Sequence, residues 1–390
     1  MKNKLIIALT LAWIASISAH ATEGINLIGI GPIQQGTAGA GVASAKNSTW
    51  LILNPAGLTD LERGADASIQ YFAPNRTINS GMSGGAGKQT DDSAFFIPSI
   101  STSFGCCRGT NGYLGIGIYG TSGMGVDYNQ GRVGDLSSMG PYGPTAPQNQ
   151  VDQMTELSVA KMTLTYAEKL DNGWSVGGGP VFVLSRLRTD MLNSSYAAQS
   201  GDWDTAVGLG FIIGVNKQIN DKLKIGGSYM TEQFMTEFDE YSDLLDGSLN
   251  LPQQLTVGLA YNVLTNVEVA LDYRWVGWGE LDTLGDQFGW ENQNIVKAGI
   301  SWDVNERLTL RSGISHGNSP IGNGDAAFAN ALFPAIMETH LAGGLSYQFD
   351  SFRLDIAAVH ALEASRYDSA TATDISMSQN SLTIGAGWEF

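Results

Sequence analysis

The sequence predicts an all-β chain: a transmembrane antiparallel β-barrel of about fourteen strands with an N-terminal segment lodged in its lumen. Three observations lead there. Apolar residues alternate with small or polar ones, connections are alternately tight and long, and the N-terminus carries the pattern of an export signal.

The alternation is cleanest at the C-terminus, where Leu382, Ile384, Ala386, Trp388 and Phe390 are interleaved with Ser381, Thr383, Gly385, Gly387 and Glu389. Successive side chains of a strand point to opposite faces, so one face is apolar and the other small or polar. Val267, Val269, Leu271, Tyr273 and Trp275 alternate in the same way, as do Val296, Ala298, Ile300 and Trp302. A water-soluble sandwich shares this pattern. The aromatics favour the barrel, because Trp275, Trp302, Trp388 and Phe390 fall at strand ends on the apolar face, where an interfacial girdle lies. Composition agrees: 49 glycines in 390 residues are too many for a mostly helical chain, since each costs about 1 kcal/mol against alanine inside a helix.

Tight turns are expected at Asp171-Asn172-Gly173, Asn220-Asp221-Lys222, Leu264-Thr265-Asn266, Asn305-Glu306 and Asp350-Ser351. Long polar or Gly-rich segments are expected near 77–92, 121–154, 190–203, 236–253, 277–293, 318–338 and 365–379. Short periplasmic turns and long extracellular loops are the asymmetry of bacterial barrels, and an even strand number leaves both ends of the sheet on the periplasmic side. The first strand is expected near 64–76 and the last at 381–390.

At the N-terminus, Lys2 and Lys4 precede the apolar stretch Leu5 to Ile17, and Ala19-His20-Ala21 places small residues around a spacer, as a signal peptidase requires. The stretch is shorter than the roughly 20 residues of a membrane-spanning helix. Residues 1–21 are therefore expected to be a signal peptide, 22–60 a hatch inside the barrel, and 61–390 the barrel itself. Residues 22–60 do not alternate, and Ile25, Leu27, Ile28 and Ile30 would be poorly served in a solvated tail. The chain is expected in the outer membrane, in contact with lipid and lipopolysaccharide, with the terminal Phe390 offered to the barrel-assembly machinery. It is read as a monomer.

Other chemistries weigh less. A net charge of −17 excludes nucleic acid as a partner, which needs a basic surface. Gly115 to Gly120 has dinucleotide-binding spacing, but its glycines alternate with Ile inside a strand instead of opening a helix. Cys106 and Cys107 are adjacent and imply no disulfide framework; two thiols in a turn and a strained vicinal bridge both stay open. No metal and no cofactor are expected, since His316, His340 and His360 lie in separate segments without ligand spacing. Asp239, Glu240, Asp243 and Asp246 read as a solvated acidic loop more readily than as a Ca²⁺ site. Gly313-Ile314-Ser315-His316-Gly317 has nucleophile-elbow spacing, so a serine lipase using Ser315, with His340 or His360 as partner, is kept as the enzyme alternative. Arg274, Lys297 and Arg311 fall on the lumen-facing phase of their strands. They are candidate cations for a fatty-acid carboxylate, or members of ion pairs with Glu268, Asp272 and Asp303.

Taken in order, several segments resemble the FadL/TodX family of outer-membrane transporters. They are Gly36-Thr37-Ala38-Gly39-Ala40-Gly41-Val42-Ala43, Asn54-Pro55-Ala56-Gly57-Leu58, Leu251-Pro252, Thr256 to Tyr261, Asp272-Tyr273-Arg274-Trp275 with Trp278, Leu310-Arg311-Ser312-Gly313 with Pro320, and His340 before Gly343 to Tyr347. The resemblance implies a fourteen-stranded barrel plugged by an N-terminal hatch. It further implies passive passage of long-chain fatty acids or related hydrophobic compounds through a lumen pocket, with aromatic hydrocarbons as the alternative substrate. Release would follow movement of the hatch, with a sideways exit beside a distorted strand. Gly24-Ile25-Asn26-Leu27 matches the family's start except that Ile25 stands where Phe is common. Ile25, Leu27, Asn54 and Pro55 are the candidate hatch and ligand residues. The Gly-rich stretch Tyr113 to Gly120 is either the distorted strand or a plain lumen-facing glycine ladder.

Overall fold

The computed structural model describes residues 23–80, 87–105, 112–128, 154–191, 199–245 and 247–390. The expected signal peptide, Cys106, Cys107 and Asp246 lie outside them.

The wall is one antiparallel sheet closed on itself. Its strands are β1 (Gly64–Ser80), β2 (Gly87–Asp91), β3 (Phe95–Gly105), β4 (Gly112–Asp127), β5 (Met154–Lys169), β6 (Trp174–Thr189), β7 (Asp204–Asn220) and β8 (Leu223–Met230). They continue as β9 (Phe234–Met235), β10 (Gln254–Leu264), β11 (Val267–Val276), β12 (Gln293–Asp303), β13 (Leu308–Gly317), β14 (Thr339–Gln348), β15 (Arg353–Asp368) and β16 (Thr373–Glu389). β2 and β3 both pair with β1, and β8 and β9 both pair with β7, so each couple is one interrupted wall strand. The barrel therefore has fourteen wall strands, closed by β1 against β16 from Gly64↔Glu389 to Ser80↔Thr373.

The alternation read from the sequence sets the two faces. Ile69, Ile100, Leu271, Val296 and Ile384 point outward and are exposed, whereas Ser101, Thr163, Lys297 and Thr383 point inward and are buried. An apolar outward band with polar inward neighbours is what lipid outside and a filled lumen inside demand. Trp174, Trp302 and Trp388 lie exposed near the periplasmic ends of their strands, while Tyr273 and Trp275 lie at the other end of β11.

The expected loop at 365–379 is a correction. β15 and β16 run on to Asp368 and from Thr373, leaving only residues 369–372 as the turn. The first strand likewise extends to Ser80. Beyond the lipid the alternation inverts: Ile78 and Ile375 face inward, directly paired and fully buried, while Asp374 and Ser376 do not. A strand standing in water has an apolar inner face, so the rule written for lipid misses it.

The loop segments 238–245, 247–251, 277–292 and 318–338 fold over the lumen in a hydrophobic cap. Trp278 meets Trp290 edge-on at 5.0 Å between ring centroids, and Phe288 lies 6.0 Å from Phe333.

Candidate ligand-binding site

The wall is incomplete between β3 and β4. Their ladder runs from Gly105↔Tyr113 to Ser99↔Tyr119 and stops, although β4 continues to Asp127. Pro98 has no amide hydrogen to extend it. On its other side β4 carries a bulge against β5 between Gly120 and Ser122. Above the gap, the interruption between β2 and β3 is fixed by Asp91. Its carboxylate pairs with Arg76 at 2.8 Å and accepts from the amides of Ser93 at 2.8 Å and Asp127 at 2.9 Å.

The N-terminal segment occupies the edge that β4 leaves free. Leu27 N donates to Thr121 O at 3.0 Å, Gly123 N donates to Ile25 O at 3.1 Å, and Ser122 Oγ donates to Asn26 Oδ1 at 2.8 Å. On the opposite side, the Glu23 carboxylate is paired with both Arg274 and Lys297, and Lys297 also donates to Ile28 O at 3.1 Å. Gly24 lies under Trp278 with φ +64°, and a Cβ there would sit 2.6 Å from the indole.

The rest of the segment is seated on wall strands. Asp272 accepts from Gly41 N and Val42 N at 2.8 and 2.9 Å, Asp66 accepts from Ser48 N at 2.9 Å, and Lys46 pairs with Glu268 at 2.9 Å. Asn54 caps the 3₁₀ turn Pro55–Asp60 through Ala56 N, and its amide donates at 2.8 Å to Val42 O and to Asn216 Oδ1. Glycines of the wall make this close approach possible. A Cβ at Gly313 or Gly115 would overlap the Thr37 backbone or the Leu51 side chain, and one at Gly177 would sit 2.8 Å from Pro55 C. The glycines of Tyr113 to Gly120 thus divide in role: Gly115 and Gly117 face the lumen filling, and Gly120 lies at the bulge.

Between gap, segment and cap lies a cavity of about 510 Å³. Ile25, Leu27 and Ile28 form its inner side, and Pro334 and Ala335 of the cap also line it. Phe96, Ile100 and Leu184, which point to the membrane side, also line it, so the space runs through the wall. Its size falls within the roughly 300–1,000 Å³ of small-molecule sites. A smaller cleft of about 50 Å³ lies behind residues 26–30, lined by Lys161 and Arg274 among others. Lys161 is buried and donates to Gln233 Oε1 at 2.6 Å. Asn26 Nδ2 and Arg274 Nε, also buried, have no hydrogen-bond partner among the described residues.

Of the residues expected from sequence, Ile25 and Leu27 line the cavity, whereas Asn54 and Pro55 seat the segment on β6 and β7. Arg274 faces the small cleft. Lys297 is spent on Glu23, and Arg311 donates to Ser346 Oγ at 2.5 Å. Glu268 and Asp272 bind the N-terminal segment, and Asp303 accepts from Thr309 Oγ1 at 2.7 Å. Ser315 is buried within β13 beside His340 of β14, away from any strand-to-helix turn. Glu23 and Lys161 were not singled out by sequence. Glu23 left one signal, being the only acidic residue between 22 and 59.

No curated protein matches the chain. Among solved structures, the toluene transporter TodX of Pseudomonas putida superposes with a TM-score of 0.73 at 17% identity, covering 94% of this chain and 99% of that one. A FadL homologue of Pseudomonas aeruginosa gives 0.73 at 14%, covering 94% and 100%. The toluene transporter TbuX of Ralstonia pickettii gives 0.65 at 17%, covering 94% and 99%. At such identities these likenesses show the fold. The sequence profile of the outer membrane protein transport family OMPP1/FadL/TodX matches residues 8–385. The chain belongs to that family: it is an outer-membrane β-barrel transporter of hydrophobic compounds and not an enzyme.

Proposed function

We propose that the chain passes long-chain fatty acids or related hydrophobic molecules down their gradient, through the lumen cavity and out sideways between β3 and β4. The observation that carries this reading is the cavity of about 510 Å³, lined on one side by Ile25 and Leu27 of the hatch and on the other by membrane-facing Phe96 and Ile100. An apolar ligand gains about 25 cal/mol for each Å² of apolar surface removed from water, so such a cavity holds it without any covalent step. The outer membrane supports no energised gradient, which makes passage passive. Movement of Ile25 to Leu27 off the edge of β4 would widen the path, and Asn54 with Pro55 would hold the remainder of the hatch in place.

A carboxylate head group finds two buried donor atoms without a partner among the described residues in the cleft behind the hatch, Arg274 Nε and Asn26 Nδ2, with Lys161, already donating to Gln233, as a further lining cation. Lys297 and Arg311 act one step back, holding Glu23 and the Ser346–Asp355 pair. Aromatic hydrocarbon uptake is the second reading. It is favoured by the apolar lining of the cavity and by the likeness to TodX and TbuX, which are toluene transporters.

Uptake of labelled oleate and of labelled toluene by cells lacking their own transporters tests the reading. Restored uptake of either, lost on deleting residues 22–30, is expected. A folded barrel that takes up neither refutes it.

A further inference from the structure

The outward face of β6 crosses from lipid to water in one step. Along neighbouring strands the row Ala160, Leu184 and Val207 is followed, one pleat nearer the extracellular end, by the row Ser158, Arg186 and Thr205. The distance between rows is about 6.5 Å. Leu184 and Val207 are exposed to the membrane, and Leu209 and Phe182 continue the apolar surface below them. Arg186 therefore sits where hydrocarbon gives way to lipid head groups.

A built site stands at this level. The Arg186 guanidinium lies 4.4 Å from the ring centre of Trp203, and that of Arg188 lies 4.9 Å from the same ring. Arg188 spends Nε and one terminal nitrogen on Glu156, at 3.1 and 2.8 Å. Arg186 makes no hydrogen bond and no ion pair among the described residues, and it is exposed. An unpaired guanidinium held over an indole is ordered without being neutralised. In a chain of net charge −17, a bare outward cation at the membrane surface stands against the general trend. The outer leaflet of the outer membrane supplies its complement, a glycolipid with phosphate groups at head-group depth. Guanidinium binds phosphate through parallel N–H···O bonds, and an anionic membrane surface attracts basic residues at head-group depth.

We propose that Arg186, with the free edge of Arg188 and the Trp203 ring as platform, binds a phosphate of lipopolysaccharide at the outer rim of the opening between β3 and β4. Arg186 and Leu184 also line the cavity that runs through this opening. The bound lipid therefore stands beside the place where a ligand leaves the wall. The site depends on the outer-membrane location and not on which ligand is carried.

Binding of purified lipid A to the full barrel in detergent, followed by native mass spectrometry, tests it. Bis-phosphorylated lipid A is expected to bind the unchanged protein at least tenfold tighter than dephosphorylated lipid A. Arg186→Gln with Arg188→Gln is expected to abolish that ratio, and Arg186→Lys to reduce it. Both positions face outward, so folding is checked simply by the heat-modified mobility of the barrel. No preference for the phosphorylated form, an unchanged ratio in the double variant, or equal binding of phosphatidylglycerol overturns the proposal. Uptake of labelled ligand by the same variants separates this result from the transport reading.

Discussion

Replacing Asn54 with alanine removes the residue that ties the N-terminal segment to itself and to β7. The side chain caps the turn Pro55–Asp60 and donates 2.8 Å hydrogen bonds to Val42 O and Asn216 Oδ1, all of it buried. Loss of a cap costs about 1 kcal/mol. Each of the two buried acceptors left without a donor costs about 1–3 kcal/mol, so Asn54→Ala should destabilise the seat by about 3–7 kcal/mol. At 1.4 kcal/mol per tenfold, local opening becomes roughly a hundred to a hundred thousand times more frequent. Native-state hydrogen exchange over residues 37–61 reads that opening directly, because Gly57 N and Leu61 N bond within the same turn. The wall ladder from β10 to β16 should keep its protection. A loss of protection under tenfold, or one spread equally over the wall, refutes the reasoning that Asn54 is a local anchor.

Three further outcomes follow from the same geometry. Glu23→Gln strips the charge from a carboxylate shared by two cations, and breaking a buried pair costs about 3–5 kcal/mol. The Leu27 amide should then exchange faster and single-channel leak in planar bilayers should rise, while unchanged leak and exchange would count against Glu23 as an anchor. Gly24→Ala puts a methyl against Trp278 at a residue with φ +64°, where L-residues lose about 1–2 kcal/mol. It should loosen Ile25 to Leu27 alone, visible as exchange confined to that stretch. Gly313→Val drives a side chain into the Thr37 backbone. It should leave a folded barrel that is cleaved by added protease within residues 30–45, and a protected segment would show that the seat tolerates bulk.

The barrel was legible because lipid outside and a filled lumen inside impose opposite demands on successive residues. Leu382 to Trp388 obey those demands. The rule failed where the solvent changed, so Thr373 to Gln379, with Ile375 inward and Asp374 outward, read as loop although it is strand. Glycine content was legible as a barrel sign, but its purpose was not. Gly313, Gly115 and Gly177 are small because the N-terminal segment lies against them, through the Thr37 backbone, the Leu51 side chain and the Pro55 backbone respectively, contacts between segments far apart in sequence. For the same reason the sequence pointed to Arg274 and Lys297 but paired them with neighbours on the wall. Their partner is Glu23, some 250 positions earlier, and only the folded lumen brings the three together. The sequence pointed to Tyr113 to Gly120 as a bent strand but not to Pro98, and the bulge at Gly120 and the free edge of β4 arise from register, which composition does not encode.

The sideways exit is tested most directly by bolting β3 to β4. A Cβ at Gly120 would stand 3.7 Å from Ile97 Cβ, within the roughly 3.5–4.5 Å that a disulfide spans. Ile97→Cys with Gly120→Cys, in a background where Cys106 and Cys107 are serine, therefore closes the foot of the gap reversibly. The measurement is uptake of whichever labelled ligand the unchanged chain restores, in oxidised and then reduced cells. Uptake that falls to background when the bridge forms and returns on reduction, with ligand binding retained throughout, is the expected result. Equal uptake in both states, with the bridge shown to be complete, would contradict passage through the wall.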